Sequence, residues 1–178
     1  SNFGTQTEHW NGIDVSLSTR FKDGFFIQGG TSTGRTATNS CEVRAKLPEA
    51  ALANPFCNVT TPWLTSVKLQ SSYIIPRVDL QVSGTIQSIP GPPVGANYVV
   101  TTAQAAATLG RPLSGNAANV TVPLIATNTL YAGRVNQVDM RFSKRVSLMS
   151  MSRAALNFDM YNMLNANATL GVNSTFNP

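Results

Sequence analysis

The chain has 178 residues, of which 42% are hydrophobic and only 12% charged, and its formal net charge is +5. That length suffices for one domain with a substantial core, and the 13 Lys and Arg residues are scattered singly rather than gathered into a basic patch, so no nucleic-acid partner is expected. No window approaches the roughly 18 consecutive apolar residues of a membrane helix, which excludes a helical membrane protein and leaves a β-barrel open.

Ser, Thr, Asn and Gly crowd the sequence and favour strands and turns over helices. Alternation of apolar and polar residues predicts a first strand over 9–21, with Ile13, Val15, Leu17 and Phe21 facing one way and Asp14, Ser16, Ser18 and Arg20 the other. A tight turn at 22–24, with Gly24 free to take positive φ, returns the chain as a strand over 24–36. Residues 37–62 read as a long loop holding both cysteines, Cys41 and Cys57. Two cysteines in one loop, with no third, predict a disulfide in an oxidising compartment; two free buried thiols are the alternative. The pair offers too few ligands for a closed zinc site, and His9 is not spaced as a partner.

Strands are predicted next over 64–75 and 78–89, turning at Pro76 and Arg77, with Val67, Leu69, Val78, Leu80 and Val82 opposite Lys68, Gln70, Asp79 and Gln81. Residues 90–133 form a second long loop, rich in Pro, Gly, Ala and Asn, with one helical turn over 104–109 and a short strand over 120–125. So long a loop argues against a compact soluble domain unless it is functional. The last predicted hairpin joins strands over 134–146 and 152–164. Val138, Met140, Phe142, Ala154, Leu156, Phe158 and Met160 alternate there with Gln137, Asp139, Arg141, Ser143, Asn157 and Asp159. Charges at successive inward positions fit a packed sandwich poorly, because buried unpaired charge is costly. They fit a strand with lipid on one side and a watery lumen on the other. The expected fold is therefore all-β, an antiparallel meander of six strands forming a segment of a transmembrane β-barrel. Val15, Leu17, Leu69, Leu80, Val82, Met140, Phe142, Leu156 and Phe158 are expected to face lipid; Asp14, Arg20, Lys68, Gln81, Asp139, Arg141 and Asp159 are expected to face the lumen.

Chemistry-bearing motifs are few. G-G-T-S-T-G-R-T over 29–36 mimics a phosphate loop, but that loop needs a helix straight after it, and A-T-N-S-C is a poor helix start. A lone His9 beside Trp10 supports no nucleophile–base pair, and the carboxylates are spread one to a strand, so no catalytic residue, cofactor or metal is expected. Trp10, Phe25, Phe26, Trp63, Tyr73 and Tyr161 fall near predicted strand ends, where barrels carry aromatic girdles. The N-x-T matches at Asn58, Asn119, Asn167 and Asn173 are what an Asn- and Thr-rich chain produces by chance.

R-V-N-Q-V-D-M-R-F-S-K followed by F-D-M-Y-N-M-L-N resembles the penultimate hairpin of TonB-dependent outer-membrane receptors. W-N-G-I-D-V-S-L-S-T-R-F-K-D-G-F-F-I-Q-G-G and Y-I-I-P-R-V-D-L-Q-V-S-G-T-I-Q-S-I-P-G resemble two preceding hairpins, their short turns periplasmic and their long loops external. The resemblance spans Trp10 through Asn165 and implies a bacterial outer-membrane location and energy-coupled uptake of a siderophore, vitamin or glycan. Outer-membrane lipid, the receptor's plug and remaining strands, and through them the TonB system would be the partners. With six strands against a minimum of eight, no plug and no closing strand, the chain is expected to be a piece of a longer receptor or one segment of an assembly. A secreted, self-assembling all-β structural or adhesive protein is the second reading, its apolar face covered by another sheet or subunit.

Overall fold

The computed structural model describes residues 3–47, 54–149 and 152–176. In chain order its elements are β1 (Thr7–Arg20), β2 (Phe25–Asn39), α1 (Cys41–Lys46), β3 (Asn58–Thr60), β4 (Leu64–Ile75) and β5 (Leu80–Ile89). They continue with β6 (Pro93–Val94), β7 (Asn97–Thr101), α2 (Thr102–Leu109), β8 (Asn119–Pro123), β9 (Leu130–Tyr131), β10 (Val135–Met149), β11 (Ser152–Met160) and β12 (Thr175–Phe176). The fold is all-β. Its main sheet is an antiparallel meander in the order β1-β2-β4-β5-β10-β11, with β3 added to β2, and β1 and β11 are open edges rather than partners that close a barrel.

The short connections all lie at one end of this sheet. At the first, Gly24 takes φ +80 and donates its amide hydrogen to the Phe21 carbonyl, while Phe21 N–H is bonded to Phe25 O. At the second, Val78 N–H bonds back to Ile75 O and Asp79 takes φ +48, a left-handed conformation that Asp tolerates better than most residues. That turn consumes Val78 and Asp79, so β5 begins at Leu80 and Val78 is not the strand residue its place in the alternation suggested. The connection between β10 and β11 includes residues 150–151, which lie outside the described residues. Beyond the sheet, β11 ends at Met160 rather than near residue 164. Asn162, at φ +51, donates its amide to the Asp139 side chain at 2.8 Å, which interrupts the backbone ladder before Met163 N–H bonds to Val138 O.

The strands are also staggered in one direction. Toward the short turns, Lys144 pairs with Leu80 at the start of β5, yet β10 runs on to Met149. Toward the long loops, Gly34 pairs with Leu64 at the start of β4, yet β2 runs on to Asn39 opposite Thr7 of β1. β4 is thus displaced from β2, and β10 from β5, in the same sense, as in sheets whose strands tilt against a common axis.

The two long connections carry structure of their own. After β2, α1 is tied back where Ser40 N–H bonds to Cys57 O at 2.8 Å, and a disulfide joins Cys41 to Cys57 with Cα atoms 4.8 Å apart. Gly4, at φ +97, lets the N-terminal segment lie against α1, since a Cβ there would meet the backbone of Glu42 at 2.8 Å. The Thr5 amide then donates to Glu42 Oε2 at 3.0 Å. Within 90–133 the helix is α2, longer than the single turn expected over 104–109. Thr101 and Gln104 form a reciprocal capping box, and Gly110 ends it in the left-handed conformation. The strand expected over 120–125 is β8, which pairs with β7; β12 adds parallel to β7, with the Tyr98 and Phe176 rings 6.3 Å apart. The segment that follows β11 is thereby pinned to the excursion between β5 and β10.

No hydrophobic side chain is buried among the described residues. The chain exposes 12732 Å², against about 8,400 Å² for a compact monomer of this mass. Ile13, Leu17, Leu156 and Phe158 are each 60% exposed or more.

Two outcomes follow for the first long loop. The unreduced, denatured protein should show no thiol reactive toward labelling, and Cys41→Ser should lower stability by about 3 kcal/mol, the entropy of an open loop of this size, as read by chemical denaturation. Glu42 is held below the usual carboxylate range, chiefly by the Thr5 amide hydrogen bond, aided by Lys46. Its contact with Thr5 therefore stabilises above the usual Glu range and is lost as pH falls through the lowered value. An NMR titration of the Thr5 amide should accordingly show a midpoint below that of an unperturbed glutamate.

Candidate functional site

Period-two alternation determines what each face of the main sheet carries, because paired residues lie on the same side. Leu17 pairs with Gly29, Gly29 with Leu69, Leu69 with Ile86 and Ile86 with Val138. Tyr73 pairs with Val82, Val82 with Phe142, and Phe142 with Phe158, whose rings stand 6.5 Å apart. These rows place Val15, Leu17, Leu69, Leu80, Val82, Met140, Phe142, Leu156 and Phe158 together on one apolar face.

Asp14, Arg20, Lys68, Gln81, Asp139, Arg141 and Asp159 share the opposite face, where the charged groups find partners. Arg141 grips Asp159 through Nε at 2.5 Å and Nη2 at 3.0 Å. Gln87 donates to Gln137, which donates to both oxygens of Asp139 at 3.0 and 2.8 Å. Ser143 donates to Asn157 Oδ1 at 2.6 Å. The result is a polar lattice over β5, β10 and β11, with every strand carboxylate among the described residues on this side. Among the described residues no group of three or more His, Cys, Asp or Glu gathers to hold a metal ion. The G-G-T-S-T-G-R-T stretch is mid-strand in β2 with no helix at its end to receive phosphate.

The apolar face is bounded at both ends. Toward the turns stand Phe21, Phe25 and Tyr73, with ring centroids 5.6 and 6.5 Å apart, and Lys144, whose ammonium donates to Val78 O. Toward the loops stand Arg35, 5.1 Å over the Trp63 ring, and Arg134, which donates to Thr65 O at 2.7 Å and Ser88 O at 2.9 Å. Phe25 and Arg35, Tyr73 and Trp63, and Lys144 and Arg134 are each ten residues apart, Trp63 and Arg134 standing one residue before β4 and β10. Ten residues span about 33 Å along a strand, or about 23 Å across a sheet tilted by about 45°.

Not every aromatic expected at a strand end belongs to that boundary. Phe26 lies on the polar face beneath Arg20, whose guanidinium carbon is 5.7 Å from the centre of the phenyl ring. Tyr161 falls just past β11. Trp10 also lies on the polar face, its indole flat over the paired glycines Gly12 and Gly34, where a Cβ on Gly34 would come 2.5 Å from the ring. Trp10, Glu8, Thr36, Asn128 and Tyr131 line a cavity of about 430 Å³ under the β9 loop. Sequence reading missed the glycine platform and the arginine rim; the ten-residue recurrence of aromatic and basic residues was the available signal. Compared with protein families, with curated proteins and with solved structures, the chain has no match in any of the three.

Gly34→Val should push the Trp10 indole off the sheet. In a Trp63→Phe background its emission should move to longer wavelength, whereas Gly84→Ala, whose added Cβ would have its nearest neighbour at 3.7 Å, should leave the spectrum unchanged.

Proposed function

We propose that the main sheet is a stretch of outer-membrane β-barrel wall, apolar face to lipid and polar face to an aqueous interior, within a TonB-dependent nutrient receptor. The observation that carries the membrane reading is the bounded apolar band. Segments at β2, β4 and β10, the last separated from β4 by β5, each run ten residues between an aromatic or basic turn-side residue and an aromatic or basic loop-side one, close to the roughly 25 Å apolar belt of such barrels. The stagger of β4 against β2 and of β10 against β5, the short turns at one end and the absence of a buried core among the described residues support the same reading. Backbone groups along β1 and β11 would be left unpaired in lipid at several kcal/mol each, so further strands pair there. Assignment to nutrient uptake rests on the resemblance of the three hairpins alone; siderophore, vitamin and glycan all remain candidate cargoes, and the chain's own role is wall, lining and external loops rather than catalysis.

The exposed apolar face and open edges also suit a secreted all-β protein that assembles with copies of itself. Fractionation separates the two. Recovery with outer membranes, extraction only by detergent and a heat-dependent shift in gel mobility support the wall; recovery from the medium as a soluble assembly supports the alternative and removes the first reading.

Met140→Arg places a charge on the lipid side at a cost of roughly 2–4 kcal/mol, whereas Ser143→Arg adds one to a hydrated face. Membrane assembly of the first should be severely reduced and that of the second near normal; equal damage from both would count against the membrane reading.

A further inference from the structure

The loop-side rim of the apolar face is cationic, and no carboxylate shares that face among the described strand residues. Glu8, Asp14, Asp139 and Asp159 all point to the other side, by the register of their strands. Arg35 is exposed, its guanidinium lies over the Trp63 ring, and its side chain has no hydrogen bond or ion pair among the described residues. Arg134 is exposed as well. It commits Nε and Nη2 to Ser88 and Thr65, which leaves its Nη1 hydrogens without an acceptor among the described residues. Trp63, 54% exposed, stands at the head of β4 between Arg35 on β2 and the Arg134 guanidinium over β4 and β5. Two arginines on a face with no acidic group call for an anion from outside the sheet. At the edge of an apolar band, the anion at hand is a headgroup phosphate, which a planar guanidinium fork matches. An indole beside them suits the same depth.

We propose that Arg35, Trp63 and Arg134 form a contact for anionic, phosphate-bearing lipid headgroups of the leaflet on the loop side. The inference rests on the membrane-wall reading but predicts something that reading does not require: a preference for anionic over zwitterionic lipid that resides in two named side chains. General attraction by the chain's net charge would depend equally on Lys68 and Arg141 of the opposite face.

The full chain carrying Trp10→Phe, so that Trp63 alone reports, is titrated with vesicles of phosphatidylcholine and with vesicles containing about one-third phosphatidylglycerol. The expected result is tighter partition into the anionic vesicles. Arg35→Gln, which breaks no hydrogen bond within the protein, should reduce that preference about fivefold, and Arg35→Gln with Arg134→Gln about 30-fold, at one surface charge each. Lys68→Gln with Arg141→Gln should reduce it much less, and partition into phosphatidylcholine should be unchanged throughout. Equal partition into both vesicles by the parent chain, an unchanged preference in Arg35→Gln, or equal losses in the two double variants would overturn the headgroup contact and leave the wall reading standing. Failure to bind either vesicle would overturn the headgroup contact, while the wall reading stands or falls by the fractionation.

Discussion

Everything in this molecule depends on six strands being paired in phase. Because side chains alternate at every residue, a slip of one position in any pairing would turn that strand's apolar set onto the polar face. The row from Leu17 through Gly29, Leu69 and Ile86 to Val138 shows the phase kept across five strands, and Phe142 with Phe158 extends it to the sixth. Tight turns enforce it. Gly24 and Asp79 adopt positive φ and leave little freedom in where the returning strand begins.

A sheet ordered in this way has no interior of its own. Its apolar face is not folded against a second layer, which is why no hydrophobic residue is buried among those described and why the accessible surface greatly exceeds that of a compact domain. Backbone ladders and cross-strand pairs hold the strands together, but they leave the two faces suited to different surroundings. On one, Arg141 meets Asp159 and Gln137 meets Asp139, so charge is paired where water can reach it. On the other, aromatic and aliphatic side chains predominate between two rims, interrupted by Gly29, Thr31, Thr33, Ser71 and Gly84. Such a surface is satisfied by a medium that is apolar over the width of the band and polar at its edges.

The two ends of the sheet differ as sharply as its faces. One end closes in short turns. From the other rise excursions with internal order: a disulfide and a helix in the first, a capped helix and the paired strands β7 and β8 in the second, with β12 of the C-terminal segment added to them. Here polar and backbone contacts replace core packing. The Thr5–Glu42 hydrogen bond and the parallel pairing of β12 with β7 are examples. The cavity beside Trp10 and Tyr131 arises because the β9 loop overhangs the polar face near the paired glycines.

The all-β class, the meander and the face assigned to each strand residue were legible in the sequence, since alternation is a local property that each strand carries independently. Two cysteines in one loop likewise pointed to their own pairing. Strand ends were less legible: Val78 and the residues after Met160 continue the pattern, yet turn geometry at Asp79 and the hydrogen bond from Asn162 to Asp139 remove them from the strands. Only the tertiary structure decided the rest. The stagger of the strands, the parallel docking of β12 and the seat of Trp10 over Gly12 and Gly34 depend on contacts between distant segments. So does the line formed by Arg35, Trp63 and Arg134, residues that alternation sorts by face but that only register brings to the same level.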